Sequence, residues 1–312
     1  MKKISFVSSC YNEEKNLDEL YERVTAQWEK YKDKYEFEYI LLDNASTDNT
    51  EGKLRELAKK DSRIKVILNS RNFGQDNSPL FGVLNSSGDA TIVIASDLQD
   101  PPELVGDLIQ RWEEGNQVVF LQKKSSKENP VMFNIRQFYY KMLSKIADND
   151  VEIAVNCTGA GLFDKVITDS LKHVEDPSPL FRGLICEMGF KRAYVQFEQP
   201  VRKRGASYNN FYKLYSIGVS GITKFSKLPL RIMAITGFFM SILTFFATLF
   251  FFLWKLIKWN TFAFGLAPII LSILFLGSIQ LFCLGILGEY IAAIYARVDK
   301  KPLVIVKEKI NF

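Results

Sequence analysis

The chain has 312 residues, 47% of them apolar and 24% charged, with a formal net charge of +5. That length allows one sizeable core and something more, and so small a net charge gives no reason to expect a nucleic-acid partner. The single histidine, His173, argues against a His-based triad or a His-rich metal centre, and the four scattered cysteines (Cys10, Cys157, Cys186, Cys283) match no metal-ligand spacing and point to a reducing compartment.

The N-terminal run "ISFVS" predicts a strand. Its apolar stretch is too short for a signal peptide, so the polar part of the chain is expected in the cytosol. Asn12 is then placed to cap a helix with Glu13 and Glu14 in its first turn, where the helix dipole favours acids. "FEYILLD" predicts a second strand, "TEGKLRELAKK" a helix and "IKVILN" a third strand. A helix is expected over 75–85, a fourth strand over "ATIVIAS", and a helix over 102–114 with proline in its first turn. "QVVFLQ" closes the series. Alternation of this kind predicts a doubly wound, mainly parallel α/β sheet with right-handed connections.

Further along, Phe211, Leu214, Tyr215, Gly218, Ile222 and Phe225 share one helical face, with Lys213 and Lys224 interspersed. Such a helix either lies on a membrane surface or covers the polar domain. No charge occurs between Arg231 and Lys255, nor from Trp259 to Gly288. Each stretch supplies the roughly 20 apolar residues that cross a bilayer core. Lys224, Lys227 and Arg231 precede the first, and Arg297, Lys300 and Lys301 follow the second. The positive charges therefore place both flanks in the cytoplasm. Lys255 and Lys258 give the connecting loop a weaker count, and Trp254, Trp259 and Phe262 suit the outer interface as aromatic anchors.

Open α/β sheets bind ligands beyond the carboxyl ends of their strands. Four polar segments fall there: "CYNE", "DNASTD", "NSRNFG" and "SDLQDPP". Each alone reads equally well as a turn or a helix start. Together they bring Asp43 and Asp97 towards one edge, and carboxylates held there without a structural partner are costly unless a metal or polar ligand meets them. Asp97 and Gln99 offer oxygen ligands at i and i+2, a donor set suited to Mg²⁺ or Mn²⁺ bridging a diphosphate.

With "YNEEKNL", "DNASTDNT", "RNFG", "SDLQDPPEL" and "RKRGASYNNFYKLY" in view, the chain resembles the family 2 glycosyltransferases of GT-A fold. The likeness is to the polyprenyl-phosphate branch that includes dolichol-phosphate mannose synthases and bactoprenol glucosyltransferases, and it covers nearly the whole chain. The resemblance implies a cytosolic GT-A domain over 1–208, a juxtamembrane amphipathic helix over 209–228, two transmembrane helices over 229–296 and a cytosolic tail over 297–312. It implies that Ser9, Tyr11, Glu13, Asp43, Asn44, Asp97, Arg202 and Ser207 bind the nucleotide sugar, with Asp97 and Arg202 catalytic. Asp97 and Gln99 would hold Mg²⁺ or Mn²⁺, and Arg136 and Arg182 would face the acceptor phosphate.

The expected reaction is inverting transfer from a nucleotide sugar, UDP-glucose or a similar donor, to a polyprenyl phosphate at the inner (plasma) membrane. A homo-oligomer is compatible with it. Several positions depart from the family pattern. Asn44 and Ala45 replace the usual Asp-Gly after Asp43. Ala95 replaces the first acid of the metal motif. Gly159 and Gly161 stand where many relatives carry functional groups, and Tyr208 replaces a lysine. The rival readings are a transferase extending a lipid-linked glycan, against which the missing Gln-x-x-Arg-Trp motif counts, a decayed transferase acting as a scaffold, and a transporter.

Overall fold

The computed structural model describes residues 1–124, 142, 156–174, 180–200, 219, 222–223, 226–257, 266–298 and 301–312. Contacts divide the chain into two compact units. The first takes in residues 1–144, 151–210 and 299–312, and the second residues 145–150 and 211–298.

The first unit is built on one eight-stranded sheet. Its strands are β1 (Lys2–Cys10), β2 (Tyr35–Asp43), β3 (Ile64–Asn69), β4 (Ala90–Val93), β5 (Val118–Lys123), β6 (Cys157–Asp164), β7 (Arg192–Phe197) and β8 (Val306–Ile310). They lie in the order β7-β5-β6-β4-β1-β2-β3-β8. β1 runs parallel to β2 and β4, β2 to β3, and β5 to β7. β6 runs antiparallel between β4 and β5, and β8 runs antiparallel along β3. The helices of this unit are α1 (Leu17–Tyr31), α2 (Thr50–Lys60), α3 (Asn77–Leu84), α4 (Val105–Glu113), α5 (Lys165–Leu171) and α6 (Phe181–Glu187).

The central strands are apolar on both faces, as expected where helices cover a sheet from both sides. Phe6, Tyr39 and Leu41 point to one core with Trp28 of α1 and Leu54 of α2. Their neighbours Val7, Ile40 and Leu42 point to the other, with Leu80 and Val83 of α3. This alternation is the two-residue period of a strand. α3 packs so closely that a Cβ at Gly82 would lie 2.5 Å from Val7 Cγ1 and 2.6 Å from Leu42 Cδ1.

Several expectations need correction. α1 starts at Leu17 after Asn16, so Asn12 does not cap it; Asp18 and Glu19 are the acids of its first turn. Asn12 instead takes the left-handed conformation (φ 57°) and bends the chain before the helix. The helix expected over 102–114 is a 3₁₀ turn at Pro102–Leu104 followed by α4. β5 does not end the series. "TGAGLFD" lies in β6, and within the segment read as a cytosolic tail β8 joins the sheet. Gly161 of β6 explains one departure from the family pattern, because a Cβ there would meet Val119 O at 2.2 Å. Gly159 has φ +89°, a conformation L side chains rarely adopt.

The second unit contains α7 (Leu228–Ile257) and α8 (Leu266–Val298). Both are long and apolar enough to cross a membrane, over Leu228–Ala247 and Phe275–Tyr295. The second window lies further along than the expected span and includes Glu289. Tyr290 Oη donates to Ser226 O (2.7 Å), which sets this part of α8 level with the start of α7. Phe238, Phe246, Leu281 and Phe282 are all more than 60% exposed. The amphipathic segment 211–225 lies almost wholly outside the described residues.

At the end of the sheet away from the loops, Glu38 is buried, with a side-chain exposure of 2%. It pairs with Lys3 Nζ (2.8 Å) and Lys65 Nζ (2.9 Å). It also accepts from Ser5 Oγ (2.5 Å) and from the Ser87 N–H (2.8 Å). Burial pushes its pKa up, but the bonds from Lys3, Ser5, Ser87 and Lys65 outweigh it and hold the group at about 2. A carboxyl depressed in this way stabilises the fold above the ordinary range near 4.5 and loses that contribution as pH falls towards 2. Glu38→Gln is expected to cost about 2–3 kcal/mol near neutral pH. The gap between variant and wild type should close between about pH 4.5 and pH 2 in denaturant titrations followed by tryptophan fluorescence. A gap that stays constant over that range would refute the assignment.

Candidate active site

The parallel strands β1 to β4 put their carboxyl ends on one edge of the sheet. Cys10 at the end of β1 lies beside Asp43 at the end of β2, and Ile94, just past β4, donates its N–H to Val7 O (3.0 Å). β1 therefore sits between the strands that lead to Asp43 and to Asp97.

The loops after β1 and β2 are laced together. Asn12 N–H donates to Ser46 Oγ (2.9 Å), and Asn12 Oδ1 accepts from Thr47 N–H (2.7 Å). Glu13 N–H donates to Thr50 Oγ1 (2.9 Å), and Glu14 Oε2 accepts from Asn49 N–H (3.0 Å). Glu13 is buried, and its carboxylate accepts from Asn16 Nδ2 (2.5 Å). The two motifs thus form one surface. The density of Asn, Ser, Thr and Asp in "DNASTDNT" was the available signal for this lacing, since these side chains bond readily to nearby backbone.

Asp43 is 2% exposed and has a structural partner, contrary to expectation. Its carboxylate accepts from Ser46 Oγ (2.5 Å) and the Ser46 N–H (3.2 Å). Burial raises its pKa, the Ser46 bonds oppose the rise, and Glu51 and Asp48 add to it. Asn44 is equally buried. Its Oδ1 accepts from Phe73 N–H (2.9 Å), Ser78 Oγ (3.0 Å) and Asn69 Nδ2 (3.1 Å). Its Nδ2 donates to Asn72 Oδ1 (3.0 Å) and Gly74 O (3.2 Å). An amide supplies both acceptor and donor, which an ionised carboxylate cannot. Asn44 therefore clamps the "RNFG" loop to the end of β2. Ala45 follows with φ 58°, the conformation that the family's usual glycine adopts freely.

After β4 the chain turns sharply. Leu98 is buried with φ 61°, an uncommon strain for a bulky side chain and one that collects at functional sites. It separates the half-exposed Asp97 and Gln99, whose N–H donates to Asp97 Oδ1 (3.1 Å). Ser96 Oγ donates to Ser9 O (2.9 Å), tying this loop to β1. No group of three or more His, Cys, Asp or Glu suited to a metal occurs among the described residues. A divalent ion fits Asp97 only in the manner typical of Mg²⁺, on one or two carboxylates completed by substrate phosphates. Cys10 lies in the same region, but burial, with Glu13, Asp43 and Asp48 nearby, pushes its pKa far up, so it is no nucleophile.

The structure thus brings Ser9, Tyr11, Glu13, Asp43, Asn44, Asp97 and Gln99 to one edge. Arg182, in the first turn of α6, donates to Cys157 O (2.5 Å) at the start of β6, which runs antiparallel to β4 and so begins at the same edge. Arg136, Arg202 and Ser207 lie outside the described residues. His173 follows α5, remote in sequence from all four loops.

Comparison with known proteins places this arrangement. Residues 5–170 match the family described as glycosyl transferase family 2. The chain is 31% identical over 307 residues to the SfII prophage-derived bactoprenol glucosyl transferase of Shigella flexneri, covering 98% of each chain. It is 31% identical over 306 residues to the prophage bactoprenol glucosyl transferase homolog of Escherichia coli K12, again over 98% of each. An uncharacterized glycosyltransferase of Synechocystis is 32% identical over 98% of this chain and 95% of its own. Among solved structures, the glucosyl-3-phosphoglycerate synthase of Mycobacterium tuberculosis with Mn²⁺, UDP and phosphoglyceric acid is similar at a TM-score of 0.48 and 19% identity, over 71% of this chain and 76% of that one. The match to the family takes in all four loops at the sheet edge, and the chain is a glycosyltransferase that belongs to glycosyl transferase family 2.

Proposed function

We propose that the protein transfers a hexose from a UDP-sugar, UDP-glucose or a close analogue, to a polyprenyl phosphate, with inversion at the anomeric carbon. The observation that carries this reading is the length of the likeness. Relatives named bactoprenol glucosyl transferase align over 98% of the chain, through both apolar helices as well as the catalytic sheet. A transferase with a lipid acceptor has a use for both parts.

The apolar helices are read as a hairpin in the inner membrane. Their exposed phenylalanines and leucines would be costly in water and are at home in lipid. The basic flanks keep the catalytic unit in the cytoplasm. Residues 209–228 would then lie at the interface, near lipid head groups, and possession of a sheet strand makes 299–312 part of the catalytic unit.

In the proposed reaction, Tyr11, Glu13 and Asp43 line the nucleotide pocket, and Ser9 and Asn44 support it. Asp97, with Gln99 beside it, would hold Mg²⁺ or Mn²⁺ against the diphosphate, where the ion supplies charge stabilisation to the leaving nucleoside diphosphate. Arg202 and Ser207 would close on the same phosphates, Arg202 through a bidentate contact. The acceptor needs no general base. A phosphate monoester has its second pKa near 6 and is largely the dianion at neutral pH. Arg136 would hold that dianion in line with the anomeric carbon. Arg182, which gives one of its N–H groups to the Cys157 carbonyl, would face the same phosphate.

Two outcomes test this. Asp97→Ala should lower kcat/KM by at least about 100-fold, near 3 kcal/mol of transition-state stabilisation. EDTA should abolish transfer, and added Mg²⁺ or Mn²⁺ should restore it. Full turnover in EDTA would remove the metal from the reading.

The acceptor is tested with purified protein, labelled UDP-glucose and a short polyprenyl phosphate. Labelled lipid should form, His173→Ala should remain active, and Arg136→Ala should raise the acceptor KM at least about tenfold with little change in donor KM. A product joining two sugars, with polyprenyl phosphate inert, would favour the chain-extending alternative.

A further inference from the structure

The strand that follows the second apolar helix is built against the donor side of the sheet. β8 lies along β3, pairing Val66 with Ile310 and Asn69 with Val306. Ile305 O accepts from the Ser70 N–H (2.9 Å), which ties the chain just before β8 to the first residue of the "SRNFG" loop. Val304 is 5% exposed, and Leu303 and Val306 pack on the core that contains Ile67 and Leu80. The far end is pinned as well. Asn311 Nδ2 donates to Ala58 O and Ile64 O, both at 2.8 Å, and Glu308 meets Arg55 of α2 through two bonds of 3.1 and 2.5 Å.

The pairing is not regular. Its register shifts where Leu68 faces Glu308 and Asn69 faces Val306, so the extra residue of the bulge is Lys307 of β8. Bulges of this kind bend a strand and re-aim side chains, and they collect beside active sites. Here the side chain beyond the shift is Asn69, 2% exposed, whose Nδ2 donates to Ser78 Oγ (2.8 Å) and Asn44 Oδ1 (3.1 Å). Asn44 in turn holds Phe73 and Gly74 and adjoins Asp43. An unbroken chain of contacts therefore runs from residues 304–310, through the shift at Asn69, to the end of β2.

We propose that residues 303–312 are a positioning element of the donor site. By pairing with β3 as far as Asn69 they hold the end of that strand, and with it the bond from Asn69 to Asn44, and so fix the "RNFG" loop and Asp43 for the nucleoside diphosphate. The inference rests on the reading of that edge as the nucleotide-sugar pocket. Its consequence is that the pocket is completed only after both apolar helices have been made, because its last supporting strand follows them in the chain.

The test uses full-length protein in detergent with UDP and Mg²⁺ as the probe, read by calorimetry. Two variants are compared with wild type: truncation after Pro302, and Val304→Asp, which places a charge in a buried apolar position. Both leave the donor loops unaltered in sequence. Circular dichroism reports whether the sheet persists. UDP affinity should fall at least tenfold in each variant that keeps its sheet, and donor KM should rise while acceptor KM stays within twofold. A synthetic peptide of residues 301–312 should restore UDP binding to the truncated protein by adding back the strand. UDP affinity within twofold of wild type in either variant overturns the inference, as does loss that the peptide fails to repair in truncated protein that keeps its sheet. Wild-type protein that binds no UDP would instead overturn the donor reading itself.

Discussion

The carboxyl end of β2 is the point on which the candidate site depends, and one buried amide holds it. Asn44 makes five hydrogen bonds from its side chain, to groups spread from Asn69 to Ser78. A buried polar group satisfied to this degree is directional in a way apolar packing is not. It fixes the loop after β3 against the loop after β2, and the lacing of Asn12 with Ser46 and Thr47 fixes the loop after β1 against the same residues. Three loops are thereby bonded to one another around Asp43. The usual aspartate at this position would accept from Phe73 and Ser78 but could give nothing back to Asn72 and Gly74. The departure from the family pattern at Asn44 is therefore compatible with a working site, since the amide takes over a structural task.

Much of this was legible in the sequence, and the parts that were not share a cause. Strands β1 to β5 follow from apolar runs bounded by polar segments, and α2 coincides with its predicted run because a two-face apolar pattern and a polar start agree there. Local signals failed where long-range pairing decides the outcome. "TGAGLFD" carries two glycines and little β propensity, yet it becomes β6 because β4 and β5 both present open edges to it. "VKEKI" reads as a charged tail, and it becomes β8 because Lys307 and Lys309 alternate with Val306, Glu308 and Ile310 along an edge, where outward charge is usual. At Asn12 the capping signal was real but misplaced. Its side chain caps nothing in α1 and accepts instead from Thr47, a residue 35 positions away.

The site itself was legible as a set of loops and not as a set of roles. Asp43 was expected to lack a partner, and Ser46 supplies one. Arg182 was expected at a phosphate, and the fold adds that one of its N–H groups is held by the Cys157 carbonyl. In both cases the sequence shows a charged residue near a turn. Only the fold reveals the hydroxyl or carbonyl that meets it, because such partners are ordinary residues without a motif of their own.

The remaining departures bear on how the site works, and they point the same way. Ala95 leaves Asp97 as the acid of its motif, and the described residues hold no ready-made cluster for a cation. A single carboxylate binds Mg²⁺ weakly unless phosphate oxygens complete the shell. Leu98, strained and buried, holds Asp97 on a turn where the Gln99 N–H already engages it, so the carboxylate is oriented before any ligand arrives. Among the described residues the site is thus preorganised in geometry and holds no cluster of cation ligands. On the proposed reading, the nucleoside diphosphate and its cation would depend on each other in such a site, and affinity for either alone should be low. A loop that fixes the position of the diphosphate then matters more than it would beside a fuller metal site, which is why the clamp at Asn44 and the carboxylate at Asp97 are best understood as two halves of one device.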